Sequence, residues 1–192
     1  MTDIIEMRDE REYRDDGIAF QYPVDWEVAR ERKSGELSIT LNGPGTAFAT
    51  LMVLFDRPGA ATVVDAALDT FEAEYPDMDV HTVRTRLCDR PAVAKDIEFF
   101  CHQLTNTARL RAFDTEHCTV VLLCQVNDGE LADVEPVFDR LAETLSITES
   151  DMGFDDADED DADEDFDEHF RDADRSDAPR NENRRRGDGV DA

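Results

Sequence analysis

The chain has 192 residues, 48 of them acidic and 20 basic, for a formal net charge of -28. That length suits one ordinary domain with a tail to spare, and a charge of that sign repels phosphates, which excludes nucleic-acid binding by charge. The longest apolar runs, such as Val120 to Cys124, fall far short of the ~18 residues of a membrane span, and the start Met1-Thr2-Asp3-Ile4-Ile5-Glu6 lacks the basic and apolar stretches of a signal peptide, so a cytoplasmic protein with no membrane span is expected.

Residues 1–10 read as a polar lead-in, and the globular domain is expected over 11–149. A domain of that size buries about 68–70% of its unfolded surface and needs neither disulfides nor metal. Ile18 to Tyr22 is a short apolar run halted by Pro23, followed by a tight turn through Trp26. Trp26, Val28 and Arg30 alternate with polar neighbours, Ser34-Gly35 signals a hairpin, and Leu37, Ile39 and Leu41 alternate with Ser38 and Thr40. After the loop Asn42-Gly43-Pro44-Gly45, Phe48 to Phe55 is apolar on both faces, as a central strand is.

From Ala60 to Tyr75 the period changes. Val64, Ala67, Leu68, Phe71 and Tyr75 recur at helical spacing, and Pro76-Asp77 ends the helix. Strands are predicted over Val80 to Leu87, Lys95 to Leu104, Thr107 to Phe113 and His117 to Val126, with turns at Asp89-Arg90-Pro91, Thr105-Asn106 and Asp114-Thr115-Glu116. Asn127-Asp128-Gly129 closes the last strand. A final helix carries Val134, Val137, Phe138, Leu141 and Leu145, and Pro136 confines its regular part to a start within three residues before the proline. The order β-β-β-β-α-β-β-β-β-α predicts an α+β fold with helices on a mostly antiparallel sheet.

Beyond 150 the composition shifts. Residues 151–192 hold 18 of the 48 acidic and 6 of the 20 basic residues, and Asp155 to Glu168 has only Ala157, Ala162 and Phe166 between its carboxylates. With almost nothing to bury, such a stretch does not repay an ordering entropy of about 1–2 kcal/mol per residue, so 150–192 is predicted to be a disordered acidic tail ending in Arg184-Arg185-Arg186. Asp156, Asp158 and Asp160 have the opening spacing of a calcium loop, but Asp161 stands where the loop needs its glycine. A partner-seeking arm anchored by Phe154, Phe166 and Phe170 is the other reading of the tail. Only Lys33 and Lys95 are lysines. With the acidic surface, this points to a salt-adapted cytoplasm, where self-repulsion is screened over about 3 Å at 1 M salt. A GC-biased genome gives the same Arg-for-Lys exchange.

Chemistry is sparse. Cys88, Cys101, Cys118 and Cys124 form no C-x-x-C pair, and disulfides are not expected. Cys101-His102 and His117-Cys118 invite a zinc reading. If the turns centre as predicted, Cys101 lies across from Leu110, and Leu110 across from about Val121. Cys118 and Cys124 then sit some 10 Å along and on the opposite face. Ligands so placed do not converge on one ion, so no metal or other cofactor is expected. No nucleophile elbow, P-loop, H-E-x-x-H or dinucleotide-binding glycine pattern appears. Asp96, Glu98, His102 and Gln103 can meet on one sheet, and a small hydrolase using Asp96, Glu98 and His102 is the enzymatic alternative. Arg84, Arg86, Arg109 and Arg111 make a basic stripe on an acidic domain, the candidate partner patch, able to engage carboxylates in bidentate fashion.

Phe20-Gln21-Tyr22-Pro23-Val24-Asp25-Trp26 resembles the F-x-Y-P-x-x-W opening of the PsbP-like superfamily. The middle helix running into Tyr75-Pro76 and the close Pro136-Val137-Phe138-Asp139-Arg140-Leu141-Ala142-Glu143-Thr144-Leu145 are similar to it as well, the family often having Ser where Thr144 stands. The likeness spans 15–148. It implies an α/β/α sandwich around a mostly antiparallel sheet with two main helices. Members act by binding a membrane complex, a small GTPase or the hydrophobic segments of secreted toxins, and no metal or partner residue carries over. The expectation is therefore a non-enzymatic protein-binding or adaptor domain, monomeric or weakly dimeric, with an unknown protein partner. An effector-specific chaperone or immunity-like partner is the alternative.

Overall fold

A computed structural model describes residues 9–101 and 103–153. Two hairpins open it. β1 (Glu10–Asp15) pairs with β2 (Ile18–Pro23), and β3 (Glu27–Lys33) with β4 (Glu36–Asn42). β5 (Phe48–Leu54) precedes the helix α1 (Ala60–Glu74). β6 (Asp79–Thr82), β7 (Thr85–Leu87), β8 (Arg90–Cys101), β9 (Leu104–Asp114) and β10 (Thr119–Asn127) follow, then the helix α2 (Asp128–Thr144) and β11 (Ser146–Ile147). The large sheet runs β3-β4-β5-β10-β9-β8-β6, with β7 paired to β8, and β1-β2-β11 form a second, small sheet. Every pairing among these strands is antiparallel. With a helix on each face of the large sheet, this is the α+β sandwich the element order predicts.

Strand alternation sorts the core. Leu37, Ile39, Leu41, Ala49, Leu51, Val53, Val120, Leu122, Cys124 and Val126 point to one face, where α2 contributes Val134, Phe138 and Leu141, and β2 contributes Ile18 and Phe20. Full burial of each Val, Leu, Ile or Phe among them contributes about 1.5–3 kcal/mol. The other face packs Leu110, Ala112 and Val121 on Ala60 and Val64 of α1, and Ile97, Phe99 and Ala108 on Leu68, Phe71 and Tyr75. Trp26 lies buried edge-on to Phe138, their centroids 6.2 Å apart. Gly43 fits closely there, because a Cβ at that position would lie 3.0 Å from two indole carbons and 3.1 Å from the Ala47 carbonyl oxygen.

Several expectations are corrected. β1, with only Tyr13 between charged residues, escapes the apolar pattern, yet it is held by its register with β2, which stacks Tyr13 on Phe20 at 4.8 Å. The β8–β9 hairpin closes between Cys101 and Leu104, not at Thr105-Asn106, so Cys101 opposes Leu104 and not Leu110. Gln103 takes a left-handed φ of 66° that closes the hairpin in two residues. The preceding turn is likewise Cys88-Asp89, both left-handed at φ 50° and 58°, and Pro91 lies inside β8. Leu110 opposes Leu123, not Val121.

α2 starts at Asp128, eight residues before Pro136, because Asn127 caps it by accepting from the Glu130 N–H at 3.1 Å. Pro136 therefore stands inside the helix. Its missing N–H leaves the carbonyl of Ala132, an exposed residue, without its helical donor. The packed chain also runs past 149, to Met152, which is buried in the α2-side core while Arg32 donates to its carbonyl. The remaining tail, with Phe154, Phe166, Phe170, the Asp156-Asp158-Asp160 spacing and Arg184-Arg185-Arg186, lies outside the described residues, as do the first eight residues and His102.

Candidate interaction surfaces

The register divides the four arginines of the predicted patch between the two faces. Arg111 opposes Ala94 and Arg109 opposes Asp96, which places both on the α2 face. The hairpin of β6 and β7 with β8 keeps one register throughout, Thr82 opposing Lys95 and Thr85 opposing Ala92. Continued through the interruption at 83–84, it sets Arg84 across from Val93 on the α1 face, and Arg86, two residues on and across from Pro91, shares that face. Equal spacing in sequence does not carry across an intervening strand when the two hairpin turns differ in position.

On the α2 face the arginines have partners. Arg109 forks between Glu135 and Asp139, two residues on one side of α2, the Asp139 contact at 2.9 Å. Arg111 binds Asp96 and donates to the Lys95 carbonyl at 2.8 Å. Asp96 and Glu98 project to the same face two residues apart, but Asp96 is engaged by Arg111, and the third member of that set, His102, is not described. Asp114, at the end of β9, accepts from the Ala60 N–H at 3.0 Å and from the Thr119 hydroxyl at 2.7 Å. It caps an α1 that has no acidic first turn and no side-chain cap of its own. No local pattern announces this cap, which joins positions 54 residues apart.

Glu130 accepts from the Thr46 N–H at 2.9 Å and from Asn127 Nδ2 at 2.9 Å, fixing the 43–46 loop on the start of α2. The Thr46 backbone bond is the chief reason its carboxyl sits below the usual range. The thiols are placed as inert groups. Burial pushes Cys88 and Cys124 up to about 12 and raises Cys118. Cys101 lies on the α1 side, where it accepts from the Tyr75 hydroxyl at 3.7 Å, and Cys124 lies on the α2 side, so the opposed faces inferred from sequence are found even though the register estimate was off.

The other edge of the sheet is built differently. Asp65, Leu68, Asp69 and Glu72 share one side of α1 and, with Pro76, Met78 and Val80, line a groove of about 630 Å³ between the helix and β6. Among the described residues, none of those three carboxylates forms an ion pair or accepts a hydrogen bond. From 58 to 83 the sequence contains six acidic residues and no Lys or Arg. At the end of the β8–β9 hairpin, Phe100 and Leu104 are 63% and 52% exposed. No group of three or more His, Cys, Asp or Glu able to hold a metal is present among the described residues, and no helix is long and apolar enough to cross a membrane.

No protein-family model and no curated protein matches the chain. Solved structures do. Cyanobacterial PsbP (CyanoP) from Synechocystis sp. PCC 6803 is similar with a TM-score of 0.52 at 13% identity, over 75% of this chain and 95% of that one. The Ran-binding protein Mog1p of Saccharomyces cerevisiae is similar with a TM-score of 0.51 at 9% identity, over 76% and 98%. LpqN of Mycobacterium tuberculosis, described as involved in cell envelope biogenesis, gives 0.46 at 15% identity, over 73% and 91%. At these identities the likeness is one of fold. The chain has a PsbP-like fold.

Proposed function

We propose that this is a non-catalytic protein-binding domain. The observation that carries the reading is where its reactive groups go. Asp96 is held by Arg111, Asp114 caps α1, Glu130 anchors the 43–46 loop, and the Cys88 and Cys124 thiols remain protonated at neutral pH. Each serves the fold, whereas Phe100, Leu104 and the carboxylates of α1 face outward. That Mog1p, of similar fold, is described as Ran-binding supports the same class of activity. The test is affinity purification of the whole chain at native salt, with a panel of hydrolase and transferase substrates run in parallel. A stoichiometric protein partner and no turnover are expected. Turnover abolished by Asp96→Asn or His102→Ala would overturn the reading.

A further inference from the structure

Resting on that reading, we infer that the partner binds as an extended basic segment added to the open edge of the sheet along β6, its side chains lying in the groove beneath α1. Three observations converge on this edge.

The first is the backbone. β6 ends the sheet order, and its far side carries no strand among the described residues. The Val83 N–H bonds the Ala94 carbonyl at 3.1 Å. In an antiparallel ladder this makes Val83–Ala94, His81–Asp96 and Asp79–Glu98 the hydrogen-bonded pairs. The N–H and C=O groups of Val80 and Thr82 therefore point away from β8, toward the open side. An edge with free donors and acceptors is a template for one more strand.

The second is the groove. Val80 and Thr82 project to the α1 face, and Val80 is 38% exposed. Leu68, Met78 and Val80 give the groove apolar lining, and Asp65, Asp69 and Glu72 rim it. Residues 65, 68, 69 and 72 follow helical i, i+3, i+4 and i+7 spacing, so the rim runs as a row along α1. Apolar lining under a row of carboxylates suits the stem and head of Arg or Lys, whose methylenes cover the lining while the cation meets the rim.

The third is charge balance. The nearest lysine, Lys95, is bound to the Thr82 hydroxyl at 2.9 Å. Arg84 marks the end of the acidic stretch, limiting the matching basic run to the few residues opposite Met78 to Thr82. The segment that fits thus alternates Arg or Lys toward α1 with β-branched residues on the opposite side.

The test uses the full chain and the peptide Ac-Val-Arg-Thr-Arg-Val-Arg-Thr-NH2, followed by calorimetry and by amide shifts. Binding with shifts concentrated on α1 and β6 is expected. The Asp65→Asn, Asp69→Asn, Glu72→Gln triple variant should bind about tenfold more weakly, three partly exposed ion pairs being lost. Val80→Pro removes an outward N–H, keeps an apolar group in the lining, and should abolish shifts at Thr82 with the fold retained. The proposal is overturned if both variants bind the peptide as the native chain does. It is equally overturned if a peptide of the same charge with Pro at alternate positions, unable to pair as a strand, binds as tightly. Such a result leaves the protein-binding reading standing, since that reading fails only when whole-chain purification yields no stoichiometric partner.

Discussion

The two faces of the large sheet treat the same shortage in opposite ways. Cations are few in this chain, and on the α2 face they are used for closure, with Arg109 clamping Glu135 and Asp139, and Arg111 holding Asp96. On the α1 side the helix attaches through apolar contacts, Val64, Leu68 and Phe71 on Leu110, Ile97 and Phe99, and through its Asp114 cap, and among the described residues its outer carboxylates meet no cation. On α2 two carboxylates are paired from within the fold; the row on α1 is left open to something outside. In an acidic protein the informative feature is therefore the allocation of its arginines, more than the net charge they fail to offset.

That contrast can be broken at its strongest point first. Trp26→Ala removes the aromatic against Phe138 and Gly43 and should destabilise by about 3–5 kcal/mol in urea unfolding. Arg109→Met, which keeps the stem and removes the fork, leaves Glu135 and Asp139 facing each other. A loss of about 1–2 kcal/mol is expected, measured the same way. The triple neutralisation of Asp65, Asp69 and Glu72 should change stability by no more than about 0.5 kcal/mol per site. It should also flatten the rise of the melting midpoint with KCl, because the removed charges are those that salt screens. A midpoint in the native chain that does not move between low and molar KCl would contradict the salt-adapted reading of the composition.

The smallest effect concerns pH. Glu130 has a folded-state pKa below its ordinary value, so its contribution is fully present above the usual glutamate range and is lost as pH falls through the lowered value. Glu130→Gln should therefore reduce the acid-side slope of stability below that range and leave the neutral plateau nearly parallel to the native curve.

Much of this architecture was legible in the sequence where local chemistry decides it. Alternation placed Leu37, Ile39 and Leu41 in the core, helical spacing placed Val64, Leu68 and Phe71, and the F-x-Y-P-x-x-W run carried the resemblance to the fold found. What failed was non-local. The cap of α1 by Asp114 joins two strand ends, the start of α2 depends on Asn127 engaging Glu130, and the β8–β9 register turns on a left-handed Gln103. The surface suffered most, because the β7–β8 hairpin closes in the two residues Cys88-Asp89 where three were expected, and a register changed by an odd number of residues moves a side chain to the other face. Hence Arg84 and Arg86 parted from Arg109 and Arg111. The α1 groove was hidden for another reason: its acidic residues read as an ordinary solvated helix face until Met78 and Val80 were placed beside them.

The account rests on carboxylates that Arg109 pairs on α2, Glu135 and Asp139, and on the row Asp65, Asp69 and Glu72 of α1 that no cation pairs among the described residues. Paired cationic and anionic paramagnetic cosolutes, whose relaxation enhancements report the potential at each backbone amide, test this most directly. The account predicts a potential clearly more negative at the amides of Asp65 to Val80 than at Arg109 and Glu135 to Arg140. Equal potentials on the two sides, or a more negative value over α2, would contradict it.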